Sequence, residues 1–203
     1  QQRIAPVDAM VVKGDGEQPG HLNFDAYGAH ADTLAWIVED RNLNGALDAA
    51  LRFAQNVHFV AGRAVALKSD EDGAAVQLED GSTVRASLVV GADGAQSWVR
   101  GQCDIGLDFK PYGQKGVVAN FDTELPHHGN AFQWFTCDRG IVALLPLPGN
   151  RVSLVWSAPD MLADQLCSEG AQALADRLAE FAADKLGKLT PVLPETVRAF
   201  PLS

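Results

Sequence analysis

The stretch that decides the fold is "NAFQWFTCDRGIVALLPLPGNRVSLVWSA", which runs from Asn130 to Ala158. With "GVVANFDTE" (116–124) just before it, this stretch forms four strand-like runs rich in aromatic and β-branched residues. Asp, Gly, Pro and Asn separate the runs, and these residue types favour tight turns. The pattern over residues 116–157 therefore predicts an antiparallel meander of four strands.

Upstream of the meander, the chain mixes strand and helix signals. The segment "RIAPVDAMVVKGDGEQPGHLNFDAYG" (3–28) alternates apolar and polar residues around a Gly-Asp-Gly turn, which predicts two strands joined as a hairpin. The segment "DTLAWIVEDRNLNGALDAALRFAQ" (32–55) has helical spacing, and Asn42 or Asn44 is expected to cap the helix. Five apolar residues are expected on one face of this helix: Leu43, Leu47, Ala50, Leu51 and Ala54.

The remaining elements complete the predicted fold class. Three short strands are expected around residues 57–67, 75–79 and 83–90. After the meander, "CSEGAQALADRLAEFAADKLG" predicts an amphipathic helix that ends at Gly187, and "TVRAFPL" predicts a further strand. This order predicts an α+β (mixed α/β) fold in which two layers are interleaved in the sequence.

The composition argues against several functional classes. Asp and Glu number 26 against 16 Lys and Arg, and no basic stripe is present, so we expect no binding to nucleic acid. Cys103, Cys137 and Cys167 lie too far apart for a zinc site or a disulfide framework, so we expect no metal and a cytoplasmic setting. No apolar run approaches the roughly 20 residues of a membrane span. His127 and His128 are expected in a solvated loop.

The stretch "LVVGADGAQSWVR" (88–100) carries the most chemical information. An apolar run, predicted to be a buried strand, ends at Gly91, and glycines on both sides of Asp93 permit a tight turn and close approach of a ligand. The Asp93 carboxylate can accept hydrogen bonds from ligand hydroxyl groups such as those of a ribose. It is equally suited to cap the short helix that follows. The residues alone leave both interpretations open.

Asp93, Gly94, Ser97 and Arg100 also carry a resemblance. Their spacing after an apolar run resembles the Asp-Gly motif of the FAD-dependent aromatic hydroxylases, the family of para-hydroxybenzoate hydroxylase. The meander is similar to one branch of that family, the ubiquinone-biosynthesis hydroxylases. The residues that match the branch are Tyr112, Gln114, Gln133, Phe135, Leu145, Pro146, Leu147, Val155, Trp156 and Ser157.

The resemblance implies a monooxygenase that uses FAD, NAD(P)H and O₂ to hydroxylate a polyprenylated phenol in ubiquinone biosynthesis. It implies that residues 1–28 and 105–160 form a substrate-domain sheet, and that 29–104 and 161–203 belong to the FAD/NAD(P)-binding domain. The implied cofactor-binding residues are Asp93, Gly94, Ser97, Arg100 and Arg41. The implied substrate residues are Gln133, Phe135, Leu145 and Pro146. A surface cap for Arg41, and core packing for each substrate residue, stay open as alternatives. No catalytic acid or base is assigned.

The departures from the family pattern matter as well. The Gly-x-Gly-x-x-Gly turn and the later Gly-Asp motif of the family are absent from this sequence. We therefore expect an internal fragment that does not hold FAD by itself and is inactive alone. A same-fold monooxygenase acting on another small aromatic, and a non-catalytic binding or scaffold module, are the alternatives. An apolar substrate predicts docking to a protein complex or peripheral contact with the inner membrane, and exposed apolar patches predict a dimer.

Overall fold

The computed structural model describes residues 4–16, 19–193 and 196–202. The described residues form two compact units: unit 1 comprises those of 1–49 and 110–203, and unit 2 comprises residues 50–109. In chain order the elements are β1 (Ile4–Val7), β2 (Ala9–Gly14), β3 (His21–Asp25), β4 (Ala35–Val38), α1 (Asp40–Phe53), β5 (Ala64–Asp70), β6 (Gly73–Leu78), β7 (Thr83–Ala86), α2 (Trp98–Gln102), β8 (Gln114–Thr123), β9 (Asn130–Thr136), β10 (Gly140–Leu147), β11 (Arg151–Pro159), α3 (Asp160–Leu186), β12 (Leu189–Pro191) and β13 (Arg198–Pro201). The predicted mixed α/β class is confirmed.

Unit 1 is built on a large sheet that has eight strands among the described residues. Its order is β12-β8-β11-β10-β9-β2-β3, and β13 also pairs with β8. Strands β9, β10 and β11 form the predicted antiparallel meander. The meander prediction was wrong about the position of one strand. Strand β8 precedes β9 in the chain but pairs with β11, at the far side of the meander, and not with β9. The predicted hairpin is confirmed as β2 and β3, and β2 joins β9 in parallel.

The two faces of this sheet differ. Alternate strand residues pack under α3, where Phe121, Leu144, Leu154 and Trp156 are buried with the apolar side of the helix. Gly170 has a φ of 84° and lies at a kink that divides α3 into two helical segments. Gly187 ends the helix as predicted, with a φ of 66°. The opposite face of the sheet, which we call the open face, is not covered by α3.

The first helix departs from the sequence prediction. Residues 35–38 form β4, which pairs with β1 in a separate two-stranded sheet, and α1 begins only at Asp40. Asn42 and Asn44 therefore lie inside the helix and are not its caps. Their side-chain amides instead donate hydrogen bonds to the carboxylates of Glu39 and Asp40. No residue of α1 is buried, so the predicted apolar face is exposed in the structure.

Unit 2 contains the three predicted short strands and α2. Strands β5, β6 and β7 form an antiparallel sheet with one buried residue, Leu78. The predicted buried strand over 88–90 does not form, because no strand of the described residues pairs with this segment. Leu88 and Val90 are 76% and 74% exposed.

The observed units do not follow the predicted domain boundaries. Helix α3 and strands β12 and β13 lie in unit 1 with the large sheet, whereas the resemblance implied that residues 161–203 belong to the cofactor-binding domain. Which segments serve which domain stays a prediction.

The structure also shows that His127 does more than occupy a solvated loop. Its Nε2 lies 2.9 and 2.8 Å from the carbonyl oxygens of Leu147 and Gly149, which ties the loop to the sheet.

Candidate cofactor and substrate site

The turn at Asp93 is a closed hydrogen-bond arrangement. The Ser97 hydroxyl donates to Asp93 Oδ1 at 2.5 Å, and the backbone N–H groups of Trp98 and Val99 donate to Oδ2 at 2.7 and 3.1 Å. Ser97 Oγ in turn accepts from the N–H of Arg100 at 3.0 Å. The Ser97 hydroxyl, followed by the Val99 N–H, stabilises the carboxylate and lowers the pKa of Asp93 below its ordinary value of 3.8. The N-cap of α2 is thus Ser97, and the Asp93 carboxylate completes the cap by accepting from the N–H groups of Trp98 and Val99.

The same turn remains accessible to a ligand. Asp93 is exposed, and its two carboxylate oxygens can accept more than the three hydrogen bonds they already have. Gly94 has a φ of 86°, and a Cβ at this position would meet no atom within 4 Å, so a ligand can approach the backbone closely. The Arg100 guanidinium donates to the Ala95 carbonyl oxygen at 2.8 Å, which fixes its charge beside the turn. These residues fit a ligand rich in hydroxyl groups.

Unit 1 carries a separate cavity of about 550 Å³ on the open face of the sheet. Its floor comes from β8, β10 and β11, and its walls come from the end of β4, the start of α1 and the side chains of Val192, Leu193, Thr196 and Arg198. The lining residues are Ile37, Val38, Glu39, Asp40, Arg41, Val118, Ala119, Asn120, Leu147, Ser153, Val192, Leu193, Thr196 and Arg198. An apolar floor with convergent polar groups is typical of small-molecule sites.

Charged side chains of both signs line this cavity: Arg41 and Arg198 are basic, and Glu39 and Asp40 are acidic. The carboxylates of Glu39 and Asp40 accept hydrogen bonds from Asn42 and Asn44. Neither arginine forms an ion pair with any residue in the part of the chain that the structure describes. Both guanidinium groups are therefore available to a ligand with a polar or anionic group.

The structure separates the predicted substrate residues. Gln133, Phe135 and Leu145 lie on the open face, and Leu145 pairs with the cavity residue Ser153 in the sheet register. Gln133 and Phe135 lie farther along the same face and do not line the cavity. Strand alternation turns Pro146 to the α3 side, where it is fully buried, so its position in this structure fits the alternative of core packing. Of the predicted cofactor residues, Arg41 lies in unit 1, and Asp93, Gly94, Ser97 and Arg100 share the turn in unit 2.

Sequence reasoning missed Asn120, Ser153, Thr196 and Arg198. All four line the cavity, yet polar residues at alternate strand positions look like an ordinary solvent face in the sequence. The available signal was Arg198 next to apolar residues in "TVRAF", since an arginine in an otherwise apolar strand requires a polar partner or solvent.

Two curated relatives of this chain are hydroxylases. It is 38% identical to ubiquinone hydroxylase UbiL of Rhodospirillum rubrum over 93% of this chain and 43% of that protein. It is 34% identical to 3-demethoxyubiquinol 3-hydroxylase of Escherichia coli over 92% of this chain and 47% of that protein. The chain thus spans less than half the length of these two relatives.

The fold agrees with these relationships. The crystal structure of PqsL, a probable FAD-dependent monooxygenase from Pseudomonas aeruginosa, matches 94% of this chain and 56% of that chain with a TM-score of 0.69 at 24% identity. Residues 25–191 match the family described as FAD binding domain, and this chain belongs to that family.

Proposed function

We propose that this chain is part of an FAD-dependent monooxygenase that hydroxylates the ring of a phenolic ubiquinone precursor, with NAD(P)H as the reductant. The similarity to two ubiquinone-pathway hydroxylases supports the reaction class. The structural observation that carries the proposal is the cavity on the open face, with Arg41, Arg198, Asn120 and Ser153 around an apolar floor.

The predicted cofactor residues each have a proposed role. In unit 2, Asp93 and the open backbone at Gly94 would bind hydroxyl groups of FAD, while Ser97 and Arg100 fix the turn. Arg41, at the start of α1 in unit 1, is a further proposed cofactor-binding residue. Bound FAD would supply the redox chemistry with O₂, and the chain's own residues would position the ring and exclude water.

The open face also suits an apolar tail. A row of side chains starts at the cavity residue Val118 and continues across neighbouring strands of the sheet through Val155, Ala143, Gln133 and Val12. Four of these five side chains are apolar, so a phenol ring in the cavity could extend a prenyl tail along the row. Gln133 and Phe135 would then contact the tail, and Leu145 would lie beside the ring. Such a substrate implies docking to a protein complex or to a membrane surface.

The binding part of the proposal can be tested on this chain. A short-chain 2-prenylphenol is titrated into isotope-labelled protein, and amide shifts are followed by NMR. We expect shifts at Val118, Asn120, Ser153 and along the row to Ala143. Phenol without the prenyl group should shift only cavity residues and bind at least about tenfold more weakly, because each buried CH₂ contributes about 0.8 kcal/mol. Equal affinity for both ligands would favour the monooxygenase of another small aromatic. No shifts with either would favour the non-catalytic module.

Turnover by a complete enzyme tests the proposed hydroxylation reaction. A complete enzyme that contains this chain should consume NAD(P)H and O₂ and release a hydroxylated prenylphenol. Arg41→Ala should lower its kcat/KM by about tenfold or more, whereas Arg52→Ala, at the other end of α1, should leave it unchanged. NAD(P)H oxidation without a hydroxylated product would contradict the proposed reaction.

A further inference from the structure

Strand β3 is an exposed edge. It is the last strand of the large sheet, and no strand of the described residues pairs with its outer side. All five of its residues, His21–Asp25, are exposed. Leu22 and Phe24 lie on the open face and are 59% and 51% exposed. An edge strand of this kind offers unpaired backbone groups to another strand.

The hairpin register defines which backbone groups face outward. Gly14 N–H donates to the Gly20 carbonyl oxygen, and Ala26 N–H donates to that of Asp8. The hydrogen-bonded pairs of β2 and β3 are therefore the even-numbered residues of β3, because such pairs alternate along an antiparallel ladder. The N–H and C=O groups of His21, Asn23 and Asp25 consequently point to the open edge.

The sequence of the edge complements itself. When "HLNFD" is paired antiparallel with a second copy about Asn23, His21 lies opposite Asp25 and Leu22 lies opposite Phe24. The hydrogen-bonded positions of this pairing are His21, Asn23 and Asp25, which are the positions whose backbone groups face outward. Asp25 Oδ1 accepts from Gly28 N–H at 2.6 Å, which leaves Oδ2 for the facing imidazole. Its carbonyl oxygen accepts from Ala29 N–H and keeps a second lone pair.

We propose that two copies of this chain associate through β3 in an antiparallel, twofold-symmetric pair centred on Asn23, which extends the large sheet across both copies. In this register each imidazole faces a carboxylate and each Leu22 faces a Phe24, so no two carboxylates lie opposite each other. Because only one short strand from each copy contributes, the dimer is weak and forms reversibly with concentration.

Sedimentation velocity of the 203-residue chain over a concentration series tests the proposal. We expect a monomer–dimer equilibrium for the unaltered chain. Asn23→Pro removes an outward N–H without touching the ladder to β2, and should abolish the dimer. Asn23→Thr keeps that N–H and should leave the dimer intact. Circular dichroism of both variants serves as the control that they are folded.

A charge series tests the register separately. His21→Glu places two carboxylates opposite each other twice per dimer and should raise the dimer Kd about tenfold. Adding Asp25→Asn to His21→Glu removes the repulsion and should restore most of the affinity. A chain that stays monomeric at all concentrations would overturn the proposal. A dimer that survives Asn23→Pro, or that does not respond to His21→Glu, would overturn it equally.

Discussion

At the scale of single residues, Asp93 shows how one carboxylate can serve its own helix and still face a ligand. Its hydrogen bonds to Ser97, Trp98 and Val99 order the turn before any cofactor arrives. A ligand hydroxyl would therefore meet a carboxylate that is already oriented, which lowers the entropic cost of binding. The two interpretations that the sequence left open are compatible in one structure.

The cap should respond to acid in a defined direction. Because the Ser97 hydroxyl and backbone N–H groups lower the pKa of Asp93 below 3.8, the cap is complete above that pH and is lost only as the pH falls below it. The amide shifts of Trp98 and Val99, followed by NMR, should titrate with a midpoint below 3.8. In Asp93→Asn the same amides should show no such titration. A midpoint at or above 3.8 would contradict the arrangement.

Gly187 is a second residue whose identity the backbone requires. It has a φ of 66°, and a Cβ here would lie 2.8 Å from Cβ of Glu124. Gly187→Ala should lower the free energy of unfolding by about 1–3 kcal/mol, measured in urea. Gly45→Ala is the matched control, because nothing lies within 4 Å of its Cβ position in α1. That variant should gain about 0.5–1 kcal/mol. Equal effects would argue against strain at Gly187.

At the scale of elements, local pattern predicted some parts well. The meander β9–β11 and helix α3 follow from turn residues and helical periodicity, which act within a few residues. The neighbour of β8 depends on which sheet edge is free, and strand formation over 88–90 depends on a partner strand, so neither is encoded locally. The residues of the candidate site also divide into those that local sequence predicts and those that it does not. The Asp93 turn was visible as a motif, whereas Ser153 and Arg198 become cavity residues only through strand pairing.

Phe181 adds an aromatic contact between α3 and the sheet. Its ring lies 5.6 Å from Trp134 and 6.1 Å from Trp156, and the Arg139 guanidinium lies 5.1 Å from it. Phe181→Ala should lower the free energy of unfolding of unit 1 by about 2 kcal/mol, since the ring is half-buried. Phe135→Ala on the open face, where the ring is 46% exposed, should cost about 0.5 kcal/mol or less in the same urea titration. If Phe135→Ala lowered the free energy of unfolding more than Phe181→Ala, the result would contradict a core on the α3 side of the sheet.

At the scale of the whole molecule, the two units have very different interiors. The large sheet and α3 of unit 1 enclose an extended core, whereas unit 2 has one buried residue, Leu78. Apolar burial is the main source of stability, so unit 2 has little of its own. Exposed apolar residues such as Leu88, Val90 and Phe109 are consistent with a unit that gains stability when other groups cover it.

Hydrogen exchange should report this difference directly. Backbone amides of β10 and β11 should be protected at least about a hundredfold more than those of β5, β6 and β7, because local opening needs less energy where little is buried. Mass spectrometry of the exchanging chain resolves the two sets of peptides. Phe181→Ala should reduce protection in β10 and β11 and leave β6 unchanged. Similar protection in both units would contradict the proposed contrast in stability.

The parallel pairing of β2 with β9 also has a consequence for how the chain is made. Register joins Ala9 to Asn130, so the ribosome releases β2 long before its partner exists. At about 5–20 residues per second, the delay is on the order of ten seconds. During that time the β2 edge of the nascent hairpin is unpaired and open to contacts with other strands, until the meander emerges and supplies β9.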